Sequence, residues 1–244
     1  MEKTLIVNEI DAYRVSQLWG EGSIRVFISH VARYKTLATE IKEGLADFSV
    51  ASFVAHEDIE PAAEWQTEIE HALFSMDMLV ALLTEDFSES KWTDQEVGIA
   101  IGRDVPIVSV SLGVDPYGFI GKYQAIRGIS KNRDQILDGI LGILFKRDGL
   151  REESVGALIK RVANAFNYAH ANSLARYLPM IDQLSPDQER SLVEAFNTNS
   201  QVNEAHGFNP SIVGHLKRWT GNNYRIEAGS RYANQLVLDE EIPF

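Results

Sequence analysis

The chain contains no cysteine, which excludes disulfides, thiolate metal sites and cysteine nucleophiles. Its longest apolar runs, such as residues 78–83, are far too short to span a membrane. Residues 1–11 carry three acidic side chains and no long apolar stretch, a composition unlike that of a signal peptide. These absences lead us to expect a cytoplasmic protein without a membrane segment.

Positive charge is also scarce: 23 Lys and Arg stand against 35 Asp and Glu, for a formal net charge of −12. The sequence has no cluster of basic residues that would offset this negative charge, so binding to a nucleic-acid backbone is not expected. A G-x-G-x-x-G phosphate cradle is missing as well, which excludes the usual Rossmann site. A small dinucleotide held by backbone amides and a few side chains remains compatible with this composition.

What is present between residues 24 and 147 is a regular alternation of strand-like and helix-like segments. This order predicts an α/β fold with a five-stranded, flavodoxin-like parallel sheet and flanking helices over 23–148. In that fold the strand order reverses between the first and third strands, and ligands bind beyond their carboxyl ends. Strands are predicted at 24–30, 50–54, 77–83, 105–110 and 124–130, and helices at 33–48, 63–75, 92–102 and 132–147.

The two ends of the chain show different patterns. Residues 1–22 fit either a short helix packed on the domain or an arm that reaches a neighbour. From 149 to 244 strand signals fade, and a smaller helical region is predicted, with helices at 151–178, 187–199 and 210–220. We expect this region to organise or regulate the protein and to supply no chemistry.

Four segments in the first domain resemble, in order, the conserved boxes of the TIR domain, in the bacterial form found in antiviral defence proteins such as the Thoeris system. Residues 25–30 (RVFISH) are similar to its first box, and 53–61 (FVAHEDIEP) to its second strand and BB loop. Residues 92–96 (WTDQE) match the W-x-x-x-E motif of catalytically active TIR domains, and 102–121 resemble the fourth strand and its following loop.

This resemblance implies that Glu96 is essential for cleavage of NAD⁺, which is a substrate here and not a cofactor. The products would be nicotinamide with ADP-ribose, or a cyclic ADP-ribose isomer that signals to a downstream effector. It also implies self-assembly in which the BB loop docks on a neighbouring protomer, with a phage-derived trigger or a downstream effector as a further partner. The residues of that loop are His56, Glu57, Asp58, Ile59, Glu60 and Pro61.

The chemistry of the nicotinamide–ribose bond suits a single carboxylate. Nicotinamide leaves a pyridinium as a neutral molecule, so no acid has to protonate it, whereas the ribose develops positive charge. Glu96 could face that charge, hold the ribose hydroxyls or trap the sugar covalently, and the sequence does not separate these roles. Trp92, four residues earlier, shares a helical face with Glu96 and lines the pocket or packs in the core.

Three further residues follow the first strand and are candidates for binding substrate. Ser29 and His30 could contact the diphosphate or the adenosine ribose, and Arg33 could pair with a phosphate. Ordinary structural roles are the alternative for each of them. The charged loop around His56 has no second histidine nearby, so no metal site is predicted.

Two other functions compete with NAD⁺ cleavage. A non-catalytic TIR scaffold would act through homotypic contacts alone, and it would have no need of the carboxylate of Glu96. An enzyme similar to nucleoside deoxyribosyltransferases would share the α/β plan and use a glutamate on a glycosidic bond. The segment that resembles a BB loop and the helical region after residue 149 argue against this last reading.

Overall fold

A computed structural model of the chain describes residues 12–20, 24–54, 65–128, 132–228 and 234–239. It divides into two compact units, Met1–Ile140 and Leu141–Phe244. The elements of the first unit are α1 (Ala12–Trp19), β1 (Ile24–Ser29), α2 (Lys35–Ala46), β2 (Val50–Phe53), α3 (Trp65–Ser75), β3 (Met78–Leu83), α4 (Thr93–Gly102), β4 (Ile107–Ser111), β5 (Ile126–Arg127) and the larger part of α5 (Arg133–Leu144), whose last four residues belong to the second unit.

The five strands form one parallel sheet in the order β2-β1-β3-β4-β5. This confirms the predicted flavodoxin-like fold, with the reversal of strand order between β1 and β3. The chain leaves β1 towards one edge of the sheet and later returns on its other side to form β3. In open α/β sheets such a reversal leaves a crevice beyond the carboxyl ends of the two strands, and ligands bind there.

Apolar side chains cover the sheet on both faces. All six residues of β3 are buried, as in a central parallel strand with helices on either side. Helix α2 packs on β2 and lies so close to α5 that a Cβ at Gly44 would stand 2.6 Å from Leu137 Cδ2. A cluster of buried apolar side chains joins α1, α3, α4 and three strands. It includes Val15, Trp19, Phe27, Phe53, Leu73, Leu79, Ala81, Val97 and Ala100.

The second unit is mainly helical, and the single helix predicted over 151–178 is wrong: two helices lie there. Asn199 explains the break, because its side-chain amide donates to the carbonyls of Ala163 (3.0 Å) and Ala165 (2.9 Å) where the first helix ends. Asn167 then caps the next helix by accepting from the backbone N–H of His170. The helices are α6 (Arg151–Ala163), α7 (Tyr168–Ala175), α8 (Pro186–Thr198), α9 (Ser200–Asn203) and α10 (Ser211–Thr220).

An antiparallel hairpin of β6 (Tyr224–Ala228) and β7 (Asn234–Leu238) completes this unit and was not predicted. Its strands are mostly exposed, so they lack the alternating apolar pattern by which a half-buried strand is recognised. Only Leu236 is buried. The side chain of Asn197 holds that residue by accepting from its N–H at 2.7 Å and donating to its carbonyl at 3.1 Å.

Two glycines of the second unit should respond to alanine in opposite directions. A Cβ at Gly207 would lie 2.6 Å from the Cβ of Ala175 and 3.0 Å from Asn172 Oδ1, whereas a Cβ at Gly214, inside α10, meets nothing within 4 Å. We expect Gly207→Ala to lower the free energy of unfolding by about 1–3 kcal/mol. Gly214→Ala should raise it by about 0.5–1 kcal/mol. Urea denaturation of both variants checks this, and equal changes would contradict the packing described.

Candidate active site

Glu96 lies in the first turn of α4 with only 5% of its surface exposed. The start of this helix is fixed by Thr93, a buried residue whose hydroxyl donates to the carbonyl of Phe87. Phe87 belongs to the same apolar cluster as Val97 and Ala100 of α4, so the hydrogen bond of Thr93 ties the start of the helix to the core. The first backbone hydrogen bond of the helix runs from the N–H of Glu96 to the carbonyl of Trp92, at 2.9 Å. The position of the carboxylate thus follows from helix geometry and core packing.

The carboxylate meets the end of the first strand. Ser29, the last residue of β1, donates its hydroxyl to Glu96 Oε2 at 2.5 Å. Ser29 is completely buried, and its strand is paired with β3 in the centre of the sheet. The bond therefore joins two residues 67 positions apart in sequence at the crevice beyond β1 and β3.

Burial raises the pKa of the Glu96 carboxyl from its ordinary 4.5 to about 7, against the opposing effect of the hydrogen bond from Ser29. Water no longer solvates the ionised form, whereas the serine hydroxyl stabilises it. A carboxyl that titrates near neutrality in a crevice is typical of sites that carry chemistry.

A second polar pair spans the same crevice. Arg33, shortly after β1, contacts Asp86 at 3.2 Å, and Thr84, directly after β3, donates to the same carboxylate oxygen at 2.7 Å. The Thr84 hydrogen bond and, to a smaller extent, the Arg33 charge lower the pKa of Asp86. Sequence reasoning did not single out Thr84 or Asp86. Both residues follow the third predicted strand at the reversal of strand order, and this position could have identified them as candidates.

Residues 26–140 match the family model described as the TIR domain, a range that includes Ser29, Glu96 and all of the sheet except the first two residues of β1. The chain contains a TIR domain. No curated protein matches the chain.

The remaining predicted residues of the TIR domain lie near this crevice in different settings. His30 follows Ser29 directly, and its Nδ1 lies 3.0 Å from the carbonyl of Ile28. Trp92 precedes α4 with 36% of its surface exposed, so it is not a core residue. Its backbone N–H donates to Ser90 Oγ at 3.3 Å, which fixes the chain just before the helix. A role of His30, Arg33 or Trp92 towards substrate stays a prediction.

A groove on another side of α4 was not foreseen. Tyr117, in the loop after β4, donates to Asp94 at 2.6 Å, and burial together with this bond raises the pKa of the Tyr117 hydroxyl. The groove encloses about 260 Å³ and is bordered by Ile101 and by Phe119, which is 80% exposed. The side chain of Asp94 therefore ties the loop after β4 to α4.

The BB-loop candidates lie outside the described residues: His56, Glu57, Asp58, Ile59, Glu60 and Pro61. Within the described ranges, no group of three or more His, Asp or Glu side chains could hold a metal ion. In the same ranges no helix is both long and apolar enough to cross a bilayer.

The raised pKa of Glu96 gives the stability of the protein a specific pH dependence. Between pH 4.5 and 7 the folded protein keeps a proton that the unfolded chain has lost. This group therefore destabilises the fold progressively as the pH rises through that range, by up to about 3 kcal/mol. Glu96→Gln should then be more stable than the wild type at pH 8 by roughly 2–3 kcal/mol, with the difference vanishing near pH 5.

Denaturant titrations at pH 5 and pH 8 measure this effect. Glu89→Gln is the matched control, because Glu89 is an exposed carboxylate in the segment that leads to α4. It should change stability little and equally at both pH values. A Glu96→Gln difference that does not depend on pH would contradict burial of an ionisable carboxyl at this position.

Proposed function

We propose that this TIR domain cleaves the nicotinamide–ribose bond of NAD⁺ and that Glu96 is the catalytic carboxylate. The observation that carries the proposal is a carboxylate 5% exposed at the reversal of strand order, held by Ser29. A core offers no reason to bury an ionisable group in this way, since an apolar residue would pack there without a penalty. The W-x-x-x-E spacing of Trp92 and Glu96 supports the same role.

In the proposed reaction the bond between the ribose C1′ and the pyridinium nitrogen breaks, and its electron pair stays on nicotinamide. Positive charge moves onto the ribose, where the ionised Glu96 stabilises it. A poorly solvated carboxylate acts more strongly than an exposed one, because little water screens its charge. Water then attacks C1′ and releases a proton to give ADP-ribose, or a nucleophilic atom of the same molecule attacks to give a cyclic isomer.

The pyridinium of NAD⁺ also favours the reactive form of the site. A positive charge beside a carboxyl lowers its pKa, so bound NAD⁺ would counteract the burial that raises the pKa of Glu96. His30, Arg33 and Trp92 are the proposed contributors to substrate binding or to the pocket, and Ser29 lies beside them with its hydroxyl bonded to Glu96. No cofactor is proposed, since NAD⁺ itself is the substrate.

The wider setting we propose is bacterial antiviral defence in the cytoplasm. The loop of His56, Glu57, Asp58, Ile59, Glu60 and Pro61 would mediate self-assembly, and a phage-derived trigger or a downstream effector would act as a further partner. Nucleic acid and membrane are not among the proposed partners. Residues 149–244 would organise or regulate the enzyme, after a TIR region over 23–148 and an N-terminal segment over 1–22.

A second candidate function is a non-catalytic TIR scaffold. The exposed apolar groove beside α4 favours it, because the strongly exposed Phe119 and the partly exposed Ile101 offer apolar surface to another protein. A scaffold does not explain the buried carboxylate of Glu96. Chromatography of NAD⁺ incubated with the purified protein separates the two functions, since only the enzyme releases nicotinamide.

Glu96→Gln should reduce NAD⁺ cleavage at least roughly a hundredfold while the domain stays folded, because the neutral amide no longer stabilises the cationic ribose. Nicotinamide release measured by chromatography, with circular dichroism as the test of folding, checks this. Glu89→Gln serves again as control and should keep wild-type turnover. A folded Glu96→Gln protein with unchanged turnover would refute the assignment.

Activity should also depend on self-assembly through the loop 55–62. Specific activity is expected to rise steeply with protein concentration or on addition of a trigger. Asp58→Lys or Glu60→Lys should suppress that rise while the domain stays folded, which circular dichroism checks. Glu153→Lys makes the same charge change at an exposed position of α6 and should have no such effect. Concentration-independent activity of a demonstrated monomer would exclude this mechanism.

A further inference from the structure

We propose that Ser29 is a positioning residue, whose hydroxyl holds the Glu96 carboxylate in its reactive orientation and charge state, and that it does not contact the substrate. This inference rests on the proposed function, in which Glu96 acts as an ionised carboxylate. It assigns Ser29 a different role from the substrate contact that its place after the first strand suggested.

The burial of Ser29 is the first argument. The residue is 0% exposed, so no part of it is open to a ligand in the crevice. A serine hydroxyl has a single proton, and here that proton is donated to Glu96 Oε2 at 2.5 Å. This O···O distance is at the short end of the range of hydrogen bonds from a hydroxyl to an ionised carboxylate. The donor of Ser29 is therefore already used by Glu96.

Both partners of this bond are held by rigid elements. Ser29 ends a central strand that is paired on both sides, and Glu96 lies in a helix whose start Thr93 anchors to the core. A glutamate side chain loses considerable rotamer freedom when it is fixed. A bond from an immobile donor to one carboxylate oxygen restricts the orientation of Glu96 before any substrate arrives.

Small side chains on the sheet make the short contact possible. Ser29, Ala81 and Ser109 lie side by side in the register of β1, β3 and β4, and neighbours in a parallel register point to the same face. Ala81 belongs to the apolar cluster that Val97 and Ala100 of α4 also join. The three small residues let α4 lie near the sheet, so that the carboxylate of Glu96 reaches the hydroxyl of Ser29.

Burial and the Ser29 bond determine the charge state of Glu96. The helix α4 itself and the elements packed against it bring other titratable groups into the neighbourhood, but burial and the Ser29 bond are the causes of the pKa shift of Glu96. They are Arg25, His30 and Arg33 on or after β1, Glu68, Glu70 and His71 on α3, Asp77 and Asp86 flanking β3, Asp94 and Arg103 on or after α4, and Tyr117 after β4.

Ser29→Ala tests the proposal, with Ser109→Ala as its matched control. Both changes remove a buried hydroxyl from the same row of the sheet, and Ser109 is 4% exposed with no hydrogen-bond partner for its hydroxyl among the described residues. Ser29→Cys keeps a weaker donor of similar size and provides a second variant should Ser29→Ala fail to fold.

Two readouts are measured on the full chain. The first is a carbon NMR titration of the glutamate carboxyls, with Glu96→Gln identifying the Glu96 signal. The second is the pH dependence of kcat and KM for NAD⁺. Ser29→Ala should raise the titration midpoint of Glu96 by about one pH unit, the size expected when a charge-assisted hydrogen bond is lost. Ser29→Cys should shift it less, and Ser109→Ala should leave it unchanged.

In the activity assay, kcat of Ser29→Ala should fall about tenfold below pH 7. Part of the loss should return at high pH, with KM little changed. A Glu96 midpoint that does not move in Ser29→Ala overturns the proposal, as does a pH-independent loss dominated by KM, which would mark Ser29 as a substrate contact. If the wild type released no nicotinamide, the proposed function would fail, yet the NMR titration would still decide whether Ser29 controls the ionisation of Glu96.

Discussion

The hydrogen bond between Ser29 and Glu96 is the contact on which the organisation of the crevice depends. A carboxyl removed from water resists ionisation, and the hydrogen bond from Ser29 opposes this effect. The serine donor stabilises the charge, the Thr93 anchor fixes the helix that carries the carboxyl, and the small Ala81 lets that helix lie near the sheet. The crevice residues of β1, β3 and α4 thus form one interdependent arrangement.

Much of the fold could be read from the sequence because its signals are local. The apolar run 78–83 is buried throughout, and apolar residues recur at every fourth position at Leu37, Ile41 and Leu45, of which the last two are buried. Strict alternation of strands and helices then left few topologies, so the reversal of strand order between the first and third strands was predictable. Glu96 was placed beside that reversal for the same reason.

The specific contacts of the site were not predictable, since they depend on register and on side-chain direction. Ser29 was recognised as a residue at the crevice, but its bond to a glutamate 67 positions later requires the actual distance of α4 from the sheet. The pairing of Arg33 with Asp86 is of the same kind. In the second unit, the side chain of Asn199 donates to the end of α6 at Ala163, 36 residues earlier in the sequence. The sequence pattern within 151–178 does not contain this contact, so the end of α6 could not be predicted from it.

The proposed chemistry and the observed burial impose opposite demands on Glu96. The proposed catalysis needs an ionised carboxylate, whereas burial raises the pKa of Glu96 to about 7, so that both protonation states of this side chain are populated near neutral pH. A cationic substrate lowers the pKa of the carboxyl when it binds, because its positive charge stabilises the ionised form. Glu96 therefore loses its proton on binding. A neutral ligand of the same shape lacks this effect. Under the proposed function, the crevice therefore selects the pyridinium of NAD⁺ by charge, in the same step that prepares Glu96 to stabilise the ribose cation.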